Sequence, residues 1–269
     1  MQRRLAIFGI TGRMGQSIFR LLRTESRWRL IGAVASSSSG RLGQDVAGDG
    51  QPSGVHITSD AQAALIDAHG KKAAVAVDFS AAIAVAAHAR ACAAAGVPLL
   101  IGTTGLDADC QAAVHQAAKD VAVLLAPNTS VGVGVLAELA RMAGAALPAS
   151  FDVEIHEAHH RTKRDAPSGT ALKLGEIIAQ ARGRTLAEVA VYDRHGAQPG
   201  APGSIGFSVV RAGDIVGEHT VVFAGAGERL EITHRASDRD VFARGALLAA
   251  EWLAGRSPGL YSMRDVLHQ

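Results

Sequence analysis

Cysteine is nearly absent from this chain: only Cys92 and Cys110 occur in 269 residues. A disulfide framework is therefore excluded, and a cytoplasmic location is expected. Both cysteines fall in alanine-rich segments of helical pattern, away from strand ends and glycine turns, so they read as small buried hydrophobes rather than nucleophiles. Charge of one sign is also lacking. The formal net charge is +2 and no dense lysine–arginine block stands out, which argues against a nucleic-acid partner. No apolar run is long enough to span a bilayer, so no membrane association is expected. The apolar stretch after Arg4 meets Gly9 too soon for a signal peptide. Aromatic residues make up 4% of the chain, so alanine and the aliphatic side chains must supply the core.

What the first half does contain is an alternation. Short apolar runs at 5–8, 30–34, 75–79, 97–101 and 121–125 suit strands buried on both faces. Helical patterns over 16–24, 82–95 and 108–119 lie between them. Strand–helix alternation predicts an α/β fold with a Rossmann-like, doubly wound parallel sheet, whose ligands bind beyond the carboxyl ends of the strands. After about Ser130 the character changes. Helices are expected over 133–146, 170–182 and 241–253, the last packing back on the first domain. Strands are expected at 151–156, 207–210, 219–223 and 229–234, with a Gly/Pro-rich loop over 196–206. This predicts a C-terminal α+β domain with a mainly antiparallel sheet. The expected division is residues 1–129 plus 239–269 for dinucleotide binding, and 130–238 for substrate binding and oligomerisation.

Gly9-Ile10-Thr11-Gly12-Arg13-Met14-Gly15 follows the first run and opens the first helix. Glycines there permit a tight turn and close approach of a pyrophosphate, with the helix N-terminus facing the anion. The end of the second strand, where an acid would bond the ribose hydroxyls of NAD, reads Ser36-Ser37-Ser38-Ser39-Gly40-Arg41. With no carboxylate to repel a phosphate, and with Arg13 and Arg41 nearby, NADPH should serve at least as well as NADH.

His156-Glu157-Ala158-His159-His160 matches the H-E-x-x-H zinc pattern, which needs a helix to aim both histidines at one metal. The preceding residues alternate like a strand, and Arg161-Thr162-Lys163-Arg164 would crowd a dication, so no metal is expected. The same stretch makes better sense as an anion site. Asp165 or Ser168 can cap a helix, Pro167 suits its early turn, and the Gly169 and Thr170 amides would face an anion. His160 and Lys163 add positive charge, which suits a small substrate with two carboxylates. Reduction of a conjugated C=C–C=N system also needs a proton. His159 is the expected donor, with Lys163 as a second donor or as the group that holds the substrate.

These segments, with Ile101-Gly102-Thr103-Thr104-Gly105, Asn128-Thr129-Ser130-Val131-Gly132-Val133 and the 211–219 stretch, resemble the dihydrodipicolinate reductase family over essentially the whole chain. The resemblance implies reduction of 4-hydroxy-tetrahydrodipicolinate (or dihydrodipicolinate) to tetrahydrodipicolinate, in the diaminopimelate route to lysine. It implies His159 and Lys163 as the catalytic pair, and His160, Ser168, Gly169 and Thr170 around the substrate carboxylates. It implies cofactor contacts from Gly9, Ile10, Thr11, Gly12, Arg13, Met14, Ser36, Ser37, Gly102, Thr103, Thr104, Ala126, Pro127, Asn128 and Thr129. A homotetramer and hinges near 128–130 and 237–239 are further implications. The chain departs from the family's habit at Ser36 and Ser37, where members commonly carry an acid and then a base, and at Thr11. Two other readings compete: an oxidoreductase of similar fold acting on another small acid, and a dinucleotide sensor without catalysis. The sensor has no use for a proton donor beside an anion site.

Overall fold

The computed structural model describes residues 2–195 and 200–268. The chain forms two compact units, residues 1–131 with 240–269 and residues 132–239, and passes between them at Val131–Gly132 and Arg239–Asp240.

The first unit is built on β1 (Arg3–Phe8), β2 (Trp28–Val34), β3 (Ile57–Thr58), β4 (Val75–Asp78), β5 (Leu99–Ile101), β6 (Ala122–Leu125) and a late strand, β12 (Gly259–Tyr261). They lie in the order β12-β6-β5-β4-β1-β2-β3, and every pairing is parallel. The apolar runs are continuous because both faces are covered. Leu5 and Ile7 enter one core with α1 (Arg13–Leu22) and α7 (Asp240–Leu253). Ala6 and Phe8 enter the opposite core with α2 (Ala82–Ala95) and α3 (Ala108–Ala117). Small side chains let α7 lie close to the sheet: Ala243, Ala246, Ala249 and Ala250 are all fully buried. Cys92 and Cys110 are buried and unpaired in α2 and α3, as their surroundings predict. Strand order reverses between β1 and β4, which creates the crevice where such sheets take ligands.

The second unit holds α4 (Val131–Ala146), β7 (Asp152–His159), α5 (Gly169–Ala181), α6 (Leu186–Val189), β8 (Ala190–Val191), β9 (Ile205–Arg211), β10 (Gly217–Gly225) and β11 (Glu228–Ala236). The chain closes with α8 (Met263–Leu267) in the first unit. Leu136 and Ala140 of α4 and Leu174 and Ile178 of α5 bury the sheet face that carries Val153, Ile155, Phe207, Val221 and Phe223.

This sheet runs β11-β10-β7-β9-β8 and is mixed. β10 is antiparallel to β7 and β11, as expected, but β9 is parallel to β7 and to β8. The connection from β7 to β9 passes through α5 and α6, and a helical crossover returns a strand in the same direction, whereas a hairpin reverses it. The first four residues of the Gly/Pro-rich loop expected over 196–206 lie outside the described residues.

No helix among the described residues is long and apolar enough to cross a membrane.

Candidate functional sites in the two units

The glycine turn stands where β1 meets α1. Gly9 has φ +79°, a left-handed conformation that favours glycine, and a Cβ there would lie 2.5 Å from the Phe79 carbonyl oxygen. A Cβ at Gly15 would lie 2.4 Å from the Gly9 oxygen, so α1 can start this close to the strand only with glycine there. Gly12 is the N-cap and contributes no side-chain cap, so the first amides of α1 point out past the turn. This cradle, which side chains would fill, fits a dinucleotide pyrophosphate.

Beside it is a cavity of about 400 Å³ lined by Arg13, Met14, Phe79, Ser80, Ala81, Ala82, Gly102, Thr103 and Thr104. Several expected cofactor residues therefore meet on one wall. Ser36 and Ser37 stand exposed at the β2 end outside this lining, and Ala126, Pro127, Asn128 and Thr129 also lie outside it. Ile10 can offer little: its side chain is fully buried, its N–H donates to Val34 and its carbonyl accepts from Gln16. Thr129 is likewise committed, donating its hydroxyl to the Phe242 carbonyl at 2.7 Å. Phe79, Ser80, Ala81 and Ala82 were not among the expected cofactor contacts, although Phe79 and Ser80 follow the carboxyl end of a strand, where ligands of such a sheet bind.

In the second unit, the H-E-x-x-H segment lies on β7, which runs through His159. Alternation along the strand therefore puts Glu157 and His159 on the core side with Val153 and Ile155, two residues apart, while the extended chain holds His156 and His160 about 13 Å apart, too far to share one metal. Among the described residues, no cluster of three or more side chains could hold a metal.

Pairing then completes the site. His159 faces Arg211 across the parallel β9, and Glu157 faces His219 across the antiparallel β10. The Glu157 side chain is 0% exposed. It accepts from Arg211 Nη1 and Nη2 at 2.8 and 2.7 Å, from the Ser168 N–H at 3.0 Å, and it bonds His159 Nδ1 at 2.6 Å. Burial works to raise its pKa, but Arg211, His159 and the Ser168 amide outweigh that and hold the carboxyl below its ordinary value. His159 is shifted down: burial lowers it most, Glu157 opposes, and Lys163 and Arg211 add to the lowering. With Nδ1 tied to the carboxylate, Nε2 remains for chemistry.

Ser168, not Asp165, caps α5. Its hydroxyl accepts from the Ala171 N–H and lies 3.0 Å from His219 Nε2, so the serine is engaged inside the protein. Pro167, expected within the first turn, instead precedes the cap. Gly169 and Thr170 open the helix, and a Cβ at Gly169 would meet nothing within 4 Å. Lys163 Nζ pairs with Asp165 at 2.8 Å, and His160 Nδ1 bonds the Thr162 hydroxyl at 2.8 Å. Glu157, Arg211 and His219 had no role assigned from the sequence.

His219 is 4% exposed, and its pKa is lowered to about 4, by burial first and then by His159. The unfolded chain takes up that proton near the ordinary value of 6.5, the folded chain only near 4. Stability is therefore full above about 6.5 and falls as pH drops through about 4, by roughly 3 kcal/mol. In urea titrations between pH 7 and 4, His219→Gln should lose stability less steeply than the wild type. Equal slopes would remove His219 as the cause.

An open parallel sheet with a glycine turn at its switch point binds dinucleotides, and an imidazole fixed by a buried carboxylate moves protons. A chain that has both is an oxidoreductase using a nicotinamide cofactor. Residues 3–129 match the family model described as Dihydrodipicolinate reductase, N-terminus, and residues 132–267 match Dihydrodipicolinate reductase, C-terminus. The chain belongs to the dihydrodipicolinate reductase family. It is 50% identical over 269 residues to the 4-hydroxy-tetrahydrodipicolinate reductase of Thiobacillus denitrificans, covering 99% of each chain. It is 49% identical over 265 residues to the enzyme of that name from Nitrosomonas eutropha, covering 98% of this chain and 97% of the relative. Its fold matches the dipicolinate-bound dihydrodipicolinate reductase from Paenisporosarcina sp. TG-14 with a TM-score of 0.79, at 24% identity, over 98% of this chain and 99% of that one.

Proposed function

We propose that the chain reduces 4-hydroxy-tetrahydrodipicolinate, or the dehydrated dihydrodipicolinate ring, to tetrahydrodipicolinate in the diaminopimelate route of lysine biosynthesis. The observation that carries the reading is the His159 imidazole held by the buried Glu157–Arg211 pair, one strand end away from a basic loop and a helix start. The near-full-length relatives of that name support it.

The nicotinamide, when bound, supplies hydride to the conjugated ring. Nε2 of His159 delivers the proton that balances the charge left on the far atom. Lys163 holds positive charge beside it and steadies the substrate. The α5 amides of Gly169 and Thr170 take one carboxylate, and His160 assists with the other. Ser168 acts one step back, by capping the helix and anchoring Glu157.

NADPH should be used at least as well as NADH. Ser36, Ser37 and Ser38 are exposed at the β2 end, and Arg13 is exposed at the turn. The next carboxylate along the chain, Asp45, is taken up by amides of Ala47, Ser53 and Gly54. Arg41 is held within its own loop, donating to the Val46 carbonyl, so the serines and Arg13 are the better phosphate partners.

A homotetramer is proposed through the second sheet, whose strand β11 is exposed along most of its length. Two buried, unpaired thiols suit a cytoplasmic setting.

The test is steady-state turnover on the freshly made condensation product of pyruvate and aspartate semialdehyde, with each nucleotide in turn. One nucleotide consumed per tetrahydrodipicolinate formed is expected, with kcat/KM for NADPH at or above that for NADH. No consumption sinks the function, and a strong preference for NADH sinks the cofactor reading alone.

A further inference from the structure

We infer that Asp78 and His88 form a buried brace that sets the nicotinamide half of the cofactor groove, acting through the loop 102–104. The inference rests on the dinucleotide reading of the first unit. Asp78 ends β4, the strand across the switch point from the glycine turn, and it is fully buried after three apolar residues, Val75, Ala76 and Val77. A carboxylate there is costly unless satisfied.

It is satisfied by the segments that line the cavity. The Ser80 N–H donates to Oδ1 at 2.8 Å, and His88 Nδ1, from α2, lies 2.7 Å from Oδ2. The Thr103 hydroxyl lies 3.2 Å from the Ser80 carbonyl and 3.3 Å from both Oδ1 and the Asp78 carbonyl, so its one proton is shared among them. The Gly102 N–H donates to the Asp78 carbonyl at 2.8 Å. His88 is itself fixed by packing on Phe8, with ring centroids 4.6 Å apart. The residues after β4, the start of α2 and the loop after β5 thus converge on one carboxylate, directly beneath Phe79, Ser80, Gly102 and Thr103 of the cavity wall.

Strand order says which end of the ligand this wall serves. In such sheets the pyrophosphate lies at the β1 turn and the adenosine ribose at the β2 end. The remaining half falls on the β4 and β5 side, where the brace stands. Asp78 and His88 are therefore positioning residues: they touch the loop rather than the ligand.

The experiment compares dissociation constants of NADPH and of the phosphorylated ADP-ribose fragment that lacks nicotinamide, by titration calorimetry on wild type, His88→Leu and His88→Asn. Leucine removes the donor to Asp78, while asparagine can return an N–H close to the Nδ1 position. His88→Leu should weaken NADPH about tenfold and leave the fragment within about twofold, and His88→Asn should restore most of the loss. If His88→Leu does not fold, Asp78→Asn, which keeps one acceptor, should show the same selective loss at about threefold. Equal weakening of both ligands, unchanged NADPH binding, or no recovery with asparagine overturns the brace. Failure of the wild type to bind NADPH overturns the dinucleotide reading and the brace with it.

Discussion

His159→Gln should lower kcat by a factor on the order of 10²–10⁴, with only a modest change in KM. Glutamine retains hydrogen-bonding capacity and much of the bulk but cannot deliver a proton near neutral pH. The groups proposed to hold the substrate, His160, Lys163 and the start of α5, are left in place, so the loss should fall on the chemical step. The fold should survive, because His159 is the last residue of β7 and a glutamine N–H can still donate to Glu157. Steady-state kinetics on the condensation product check this, and near-normal turnover would remove His159 as the acid.

Glu157→Gln should lower kcat by roughly 10²-fold through a different route. Both Glu157 oxygens receive donors: Arg211 and Ser168 meet Oε1, and Arg211 and His159 meet Oε2. A glutamine amide cannot replace both acceptors. Wherever its NH₂ group lands, it faces a donor. If it faces His159, the imidazole must turn its unprotonated nitrogen inward, and Nε2 then carries the proton in the neutral ring. The state left after proton delivery, with Nδ1–H bonded to a carboxylate, is no longer favoured. The Arg211 guanidinium also loses its buried counter-charge, which costs stability on the order of 3–5 kcal/mol when one partner of a buried pair is removed. Activity must therefore be expressed per folded molecule, from a parallel denaturation curve. A variant that unfolds more easily but turns over normally would make Glu157 a purely structural residue.

The parallel sheet was legible from sequence because its strands are buried on both faces, which makes their apolar runs continuous and separates them cleanly from the helical patterns of α2 and α3. The strand reading of 151–156 also carried the rejection of zinc, and β7 extends through His159 to the same effect. What escaped was whatever depends on pairing. Glu157, Arg211 and His219 are far apart in the chain and meet only because β9 runs parallel and β10 antiparallel to β7. No periodicity within a segment encodes that register. The short strands β3 and β12 escaped for the same reason: two or three residues carry no pattern, and the edges of the sheet define them. His159, Lys163, Gly169 and Thr170 could be proposed together from the sequence because they fall within one contiguous stretch. Ser168 was read both as a possible cap and, through the resemblance, as a substrate contact; the capping bond from Ala171 fits the first reading, and the contact with His219 became visible only once β10 was placed.

The dependence of kcat/KM on pH, measured side by side for wild type and Glu157→Gln, goes to the centre of the mechanism. A donating imidazolium gives a rate that falls as pH rises past its pKa, and burial already holds His159 below the usual 6.5. Glu157 opposes that lowering, so its removal should move the descending limb to still lower pH. A limb that stays where it is in the variant would contradict the assignment of His159, oriented by Glu157, as the proton donor.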